Sequence, residues 1–135
     1  MKEQRMPETG FETIATDRAP AAIGPYSQGI KAGGFLFTAG QIPLDPATMK
    51  PVSGGIREQS EQVMKNLAAV LAAGDSGMDR AVKTSCFLTN LADFATFNEV
   101  YAAAFGDSAP ARITIQVAAL PMGVLVEVEC VALTG

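Results

Sequence analysis

Arg112 follows Pro110 and Ala111 and leads into two alternating apolar runs, Ile113 to Ala118 and Val124 to Leu133, the second carrying Glu127 and Glu129. Residues two apart on a strand share a face and lie about 7 Å apart, so the two carboxylates look the same way. A guanidinium beside such a pair admits two readings. One is structural: solvated acids on an exposed edge, or an ion pair from Arg112 to a Glu that ties adjacent strands. In the other, Arg112 receives a small carboxylate through two parallel hydrogen bonds, a geometry Lys lacks, while a Glu positions or deprotonates a water. The chain has no His, so the commonest general base is missing and any catalysis must use Arg, Glu, Asp, Tyr, Ser, Thr or backbone groups. Tyr26, after Gly24 and Pro25, and the Gly40 region after the Phe37 run sit at loop positions suited to lining a pocket. Tyr26 suits a packed, hydrogen-bonded tyrosine equally well.

Other chemistries lack their signatures. The glycines fit neither a dinucleotide fingerprint nor a phosphate-cradling loop, and no Ser or Cys has a His to activate it. Cys86 and Cys130 are too few and isolated for a disulfide framework or a metal site, and read as buried small hydrophobes. A net charge of -4 and a pI near 4.7, with scattered basic residues, argue against nucleic acid. No apolar run approaches the ~20 residues of a membrane span, which predicts a cytoplasmic protein.

Positioning these residues requires a folded frame, and 135 residues suffice for one domain. Residues 1–10 read as a flexible leader and 11–135 as a single domain. A weak strand near Phe11 to Ala15 precedes a Pro-rich loop; Gly29 to Ala32 and Phe35 to Thr38 flank Gly33-Gly34 as a hairpin. Ile56, Val63, Leu67, Val70 and Leu71 recur at helical spacing, predicting a helix from about Gly55 to Ala73 ended by Gly74. Val82 to Thr89 reads as a central strand covered on both faces. Phe94, Phe97, Tyr101 and Phe105 line a second helix, capped by Asp93 and stopped by Gly106, with the aromatic stripe in the core. The order predicts an α+β sheet with two helices, which cover only one face. The apolar residues on the other face predict symmetric self-association.

Five separated motifs carry a resemblance: Ala21 to Gln28 (AAIGPYSQ), Phe37 to Pro43 (FTAGQIP), Phe97 to Tyr101 (FNEVY), Pro110 to Arg112, and Val126 to Glu129. Over about residues 12 to 134 the chain closely resembles the reactive intermediate deaminase A family, also called YjgF-like. The resemblance implies a homotrimer of chorismate-mutase-like subunits, each with two helices on one face of a mixed sheet, the three sheets forming a barrel. It implies cofactor- and metal-free hydrolysis of enamines and imines, such as 2-aminoacrylate and 2-iminopropanoate, to 2-oxo acids and ammonia. By position, Arg112 matches the arginine that binds the substrate carboxylate and Glu127 the acid that orients water. Tyr26 matches the pocket tyrosine, Gly40 a backbone contact, Asn98 a motif residue near the interface, and Thr114 a position whose backbone touches the ligand. Ala39 stands where many members carry a serine that would offer a polar contact, and Ile113 where Ser or Thr often follows the arginine.

Two functional classes follow. One is an enamine or imine deaminase with sites at subunit interfaces, plausible without His because a protonated 2-imino acid is already electrophilic. The other is a non-catalytic metabolite-binding or chaperone-like trimer that senses 2-oxo acids in the same cleft. Ribonuclease activity fits poorly with the acidic charge. Chorismate mutase chemistry would ask for several converging cations where one can be placed.

Overall fold

The computed structural model describes residues 10–135, so the expected leader lies outside the described residues but for Gly10. Six strands form one sheet in the order β1-β2-β3-β6-β4-β5. They are β1 Glu12–Ile14, β2 Gly29–Ala32, β3 Phe35–Thr38, β4 Ala81–Leu88, β5 Ala111–Gln116 and β6 Val126–Leu133; the helices are α1 Ile56–Ala73 and α2 Phe94–Phe105. β4 and β5 run parallel and the other neighbours antiparallel. No helix among the described residues is long and apolar enough to cross a membrane.

Local chemistry accounts for the element ends. Gly33 and Gly34 hold φ of 59° and 85°, the positive values of the two-residue turn that sets Ala32 opposite Phe35. At the start of α1 the Glu58 carboxylate accepts the Gly55 N–H at 2.9 Å, which holds the Glu58 carboxyl below its ordinary range. Gly74 ends α1 as expected, but by close approach: its φ is -95°, and a Cβ there would lie 2.5 Å from Leu36 Cδ2. α2 departs from expectation at its start. Asn90, three residues before Asp93, accepts the Ala92 N–H at 2.9 Å and caps the 3₁₀ turn that precedes α2. Asp93 makes no side-chain cap bond. Gly106, at φ 58°, stops α2.

Both helices pack on one face of the sheet. Leu36, Cys86, Leu88, Val126, Val128 and Cys130 meet Val63, Leu67, Leu71, Phe97 and Phe105 there in one core cluster. Each such side chain, fully buried, contributes roughly 1.5–3 kcal/mol. The opposite face keeps Phe35, Phe37, Ile113, Ile115 and Leu133 between 38% and 45% exposed, so much of that contribution is forgone there. β4 is therefore covered on one face of the chain, not two. A register shift between Ala81 and Lys83 turns Val82 outward. A second correction concerns adjacency: β5 and β6, consecutive in sequence, are separated by β4. Parallel pairing of β5 with β4 is stitched through α2, a right-length crossover.

Candidate active site

Pairing with β4 puts Glu127 opposite Phe87 and Glu129 opposite Ser85, both on the face without helices. The shared face of the two carboxylates is as the sequence predicts. Glu127 is half-buried; burial pushes its carboxyl above the ordinary range, and Glu129 pushes it in the same direction. It lies directly on Gly40, where a Cβ would overlap the carboxylate, with Glu127 Cδ only 2.8 Å away. Reciprocal bonds fix that approach: Gln41 N–H donates to Val128 C=O at 2.8 Å, and Val128 N–H to Gln41 C=O at 3.1 Å.

Around the carboxylate, Ile23, Tyr26, Ala39, Gly40, Ile42 and Pro121 wall a cleft of about 390 Å³. Tyr26 is 51% exposed, so it is a lining residue, not a packed one; its hydroxyl accepts the Ile23 N–H at 3.4 Å. A roomier hollow of about 540 Å³ beside β1 shares Tyr26, but Asp17 is its one acid and it has no basic side chain. The 390 Å³ cleft is the better candidate because it holds a carboxylate with a perturbed pKa.

Three buried amides hold the cleft's loops in place. Gln28 Nε2 donates to Pro20 C=O at 2.7 Å and Thr16 C=O at 3.0 Å, while its Oε1 accepts the Thr16 N–H at 2.6 Å. Asn66 of α1 donates to Ile42 C=O at 3.1 Å and Leu44 C=O at 2.9 Å. Gln59 Oε1 accepts the Leu125 N–H at 2.8 Å, just before β6. Each satisfies backbone groups that irregular loops leave unpaired, which explains why amides occupy core positions.

Arg112 lies elsewhere. β5 starts at Ala111, so Arg112 is a strand residue, and its register with Thr84 turns it to the helix side. Its Nη1 donates to Asn98 Oδ1 at 2.8 Å, and its Cζ sits 4.7 Å from the Tyr101 ring centre and 5.5 Å from that of Phe94. Thr114, on the same face two residues on, buries a hydroxyl that has no well-formed hydrogen bond and faces the Cys86 thiol. The ion pairs among the described residues are Lys31 with Asp75 and Arg57 with Glu99. An ion pair from Arg112 to a Glu on an adjacent strand, one of the two structural readings, does not form among the described residues: Arg112 and Glu127 occupy opposite faces, two strand spacings apart across the sheet and three residues apart along it.

The predicted residues therefore fall into two groups. Tyr26, Ala39, Gly40 and Glu127 meet in the cleft; Arg112 and Asn98 meet at the β5 edge, with Thr114 beside them on that strand. Sequence reasoning missed Phe94 and Tyr101 as partners of Arg112, although 94, 98 and 101 share a helix face by spacing. Nothing in the periodicity marked the three amides. The cysteines are buried as expected, and burial pushes the Cys86 thiol up to about 11 and Cys130 to about 12, leaving them protonated and unreactive at neutral pH.

Residues 16–134 match the family described as Endoribonuclease L-PSP. A RutC family protein of Pyrococcus horikoshii is 50% identical over 121 residues, covering 90% of this chain and 96% of that protein. The chloroplastic Reactive Intermediate Deaminase A of Arabidopsis thaliana is 48% identical over 121 residues, covering 90% of this chain and 65% of that one. The crystal structure of RidA from an Antarctic Psychrobacter superimposes with a TM-score of 0.87 at 43% identity, covering 90% of this chain and 98% of the other.

Proposed function

The chain belongs to the YjgF/RidA family, and on that premise we propose that it hydrolyses reactive 2-enamino and 2-imino acids to 2-oxo acids and ammonia. The observation that carries this reading is the half-buried Glu127, raised in pKa, lying on Gly40 in a cleft with no cation among its described lining residues. 2-Aminoacrylate tautomerises to 2-iminopropanoate, whose C2 is electrophilic. Water adds there as Glu127 takes its proton, and the same proton passes to nitrogen. The carbinolamine then loses its hydroxyl proton to nitrogen through the same carboxyl, the C–N bond breaks with ammonia as leaving group, and the 2-oxo acid remains. A carboxyl with a raised pKa can serve in both directions. Arg112 supplies the carboxylate anchor, with most of its N–H donors unspent after the bond to Asn98.

Since Arg112 and Glu127 cannot meet in one subunit, the site takes them from neighbouring copies. The exposed Phe35, Phe37, Ile113, Ile115 and Leu133 provide the apolar surface for that association, as a homotrimer. The net charge of -4 gives no footing for the nuclease activity named in the family description.

Ammonia release from 2-aminoacrylate generated in place tests the reaction. Co-expression of Arg112→Ala with Glu127→Gln chains tests the shared site: random assembly leaves about one interface in four with both residues intact. About a quarter of wild-type activity is expected, from two inactive parents. No recovery would place both residues in separate roles. Tight 2-oxo acid binding without any ammonia release would favour the sensing trimer.

A further inference from the structure

One helical face of α2 grips the side chain of Arg112. Phe94, Asn98 and Tyr101 succeed one another at helical spacing, giving an aromatic ring, an amide oxygen and a second ring. The guanidinium carbon lies 4.7 Å from the Tyr101 ring centre, nearer than to Phe94 at 5.5 Å, and Asn98 Oδ1 takes one N–H at 2.8 Å. The Tyr101 ring is itself pinned. Its hydroxyl shares a 2.7 Å hydrogen bond with Thr84, the residue level with Arg112 on the adjoining strand, and its ring packs 4.5 Å from Phe105 and 5.7 Å from Phe97.

We propose that Tyr101 is a positioning residue whose buried ring immobilises the Arg112 guanidinium in the orientation that receives a substrate carboxylate. This rests on the reading of Arg112 as the carboxylate anchor. The physical reason is loss of freedom: an arginine on an edge strand samples many rotamers, and a carboxylate that must freeze them binds more weakly. A ring face attracts the cation without occupying its N–H donors, which an acidic partner would consume. Tyr101 therefore fixes direction while leaving the hydrogen-bonding edge free, and never touches substrate.

The test compares Tyr101→Leu, which removes the π face and keeps an apolar side chain, with Tyr101→Phe, which keeps the face and drops the bond to Thr84. Calorimetric titration with pyruvate should show Kd weakened about five- to thirtyfold in Tyr101→Leu, the weight of a partly desolvated cation–π contact. KM should rise in step with little change in kcat. Tyr101→Phe should recover most of the affinity while its Tm falls. Phe105→Leu, which cuts the same stack away from Arg112, should lower Tm and leave Kd alone. Unchanged pyruvate affinity in a folded Tyr101→Leu overturns the proposal, as does an equal loss of affinity in Phe105→Leu. A readout independent of substrate is the Arg112 Nε–H NMR signal, assigned by its disappearance in Arg112→Lys. It should be as rigid as the backbone in the wild type and mobile in Tyr101→Leu. If wild type binds no pyruvate, the anchor reading fails, and this signal still decides the positioning role: equal mobility in both proteins overturns it.

Discussion

The Glu127 cleft and the Arg112 edge are built by opposite means. Glu127 stands on the one strand with neighbours from both halves of the sheet, yet loops wall its cleft, and buried amides and a glycine fix those loops. Arg112 stands on an edge strand against a regular helix, and aromatic faces hold it. In the first region the backbone does the positioning and the carboxylate has no cationic partner among the described residues. In the second, side chains do it, and the cation is held by two rings and an amide with no acidic partner among the described residues. A partly buried charge kept without an ionic partner costs stability whether or not it is used. Two such charges of opposite sign, each preorganised and turned to different faces, are what a site divided between copies of one chain requires.

Removing the cation should separate the two regions most sharply. Arg112→Ala is expected to lower turnover by about one to four decades, the weight of a charge-assisted contact of ~2 to 5 kcal/mol, with the fold retained although the bond to Asn98 and the contacts to Phe94 and Tyr101 are lost. Near-normal turnover would sink the assignment. Glu127→Gln should reduce turnover by about two decades while pyruvate still binds through Arg112. It also has a pH signature. Because the folded-state pKa of Glu127 is raised, ionisation disfavours the fold, and this group's contribution to stability declines as pH rises from the unfolded value through the folded one. Activity that needs the carboxylate climbs through that same range. Tm measured against pH should decline less steeply in Glu127→Gln than in wild type; parallel curves would mean the carboxyl is not perturbed.

Gly40→Ala should act only on the first region. The new Cβ displaces the carboxylate, lowering turnover by about tenfold and sparing pyruvate affinity. A wild-type rate in that variant would remove Glu127's seat from the mechanism. The smallest expected effect on chemistry belongs to Gly74→Ala, remote from both regions. Crowding Leu36 at 2.5 Å should cost about 1–3 kcal/mol of stability by denaturant unfolding, with kcat unchanged. Loss of activity without loss of stability there would show that the two regions communicate through the core.

What could be read in the sequence was local. The Gly33-Gly34 turn, both helices and the stop at Gly106 follow from residues a few positions apart, as does the common face of Glu127 and Glu129. The motifs also hold Tyr26, Ala39, Gly40 and Glu127, which meet in the cleft, whereas Arg112, Asn98 and Thr114, read from the same motifs, lie apart from it. Long-range pairing was hidden. Nothing in Ile113 to Leu133 says that β4 intervenes between the last two strands, so Arg112 and Glu127 read as neighbours. Their separation depends on strand order, which no periodicity encodes. The reason for Gly74 was hidden likewise: a backbone argument applied where the cause was a leucine from another element.

The sheet order has a consequence for how the chain is made. β6 follows the other five strands in sequence but lies between β3 and β4. While a ribosome is still synthesising it, the preceding residues hold two incomplete pieces: β1 to β3, whose β3 edge awaits β6, and β4 with β5, whose β4 edge awaits it. Neither can close on the other, and each exposes a strand edge able to pair wrongly. The strand that carries Glu127 is thus a keystone, set last. Native structure should arrive late in translation as a single event, and nascent chains stalled before Val126 should remain open to proteolysis along both pieces.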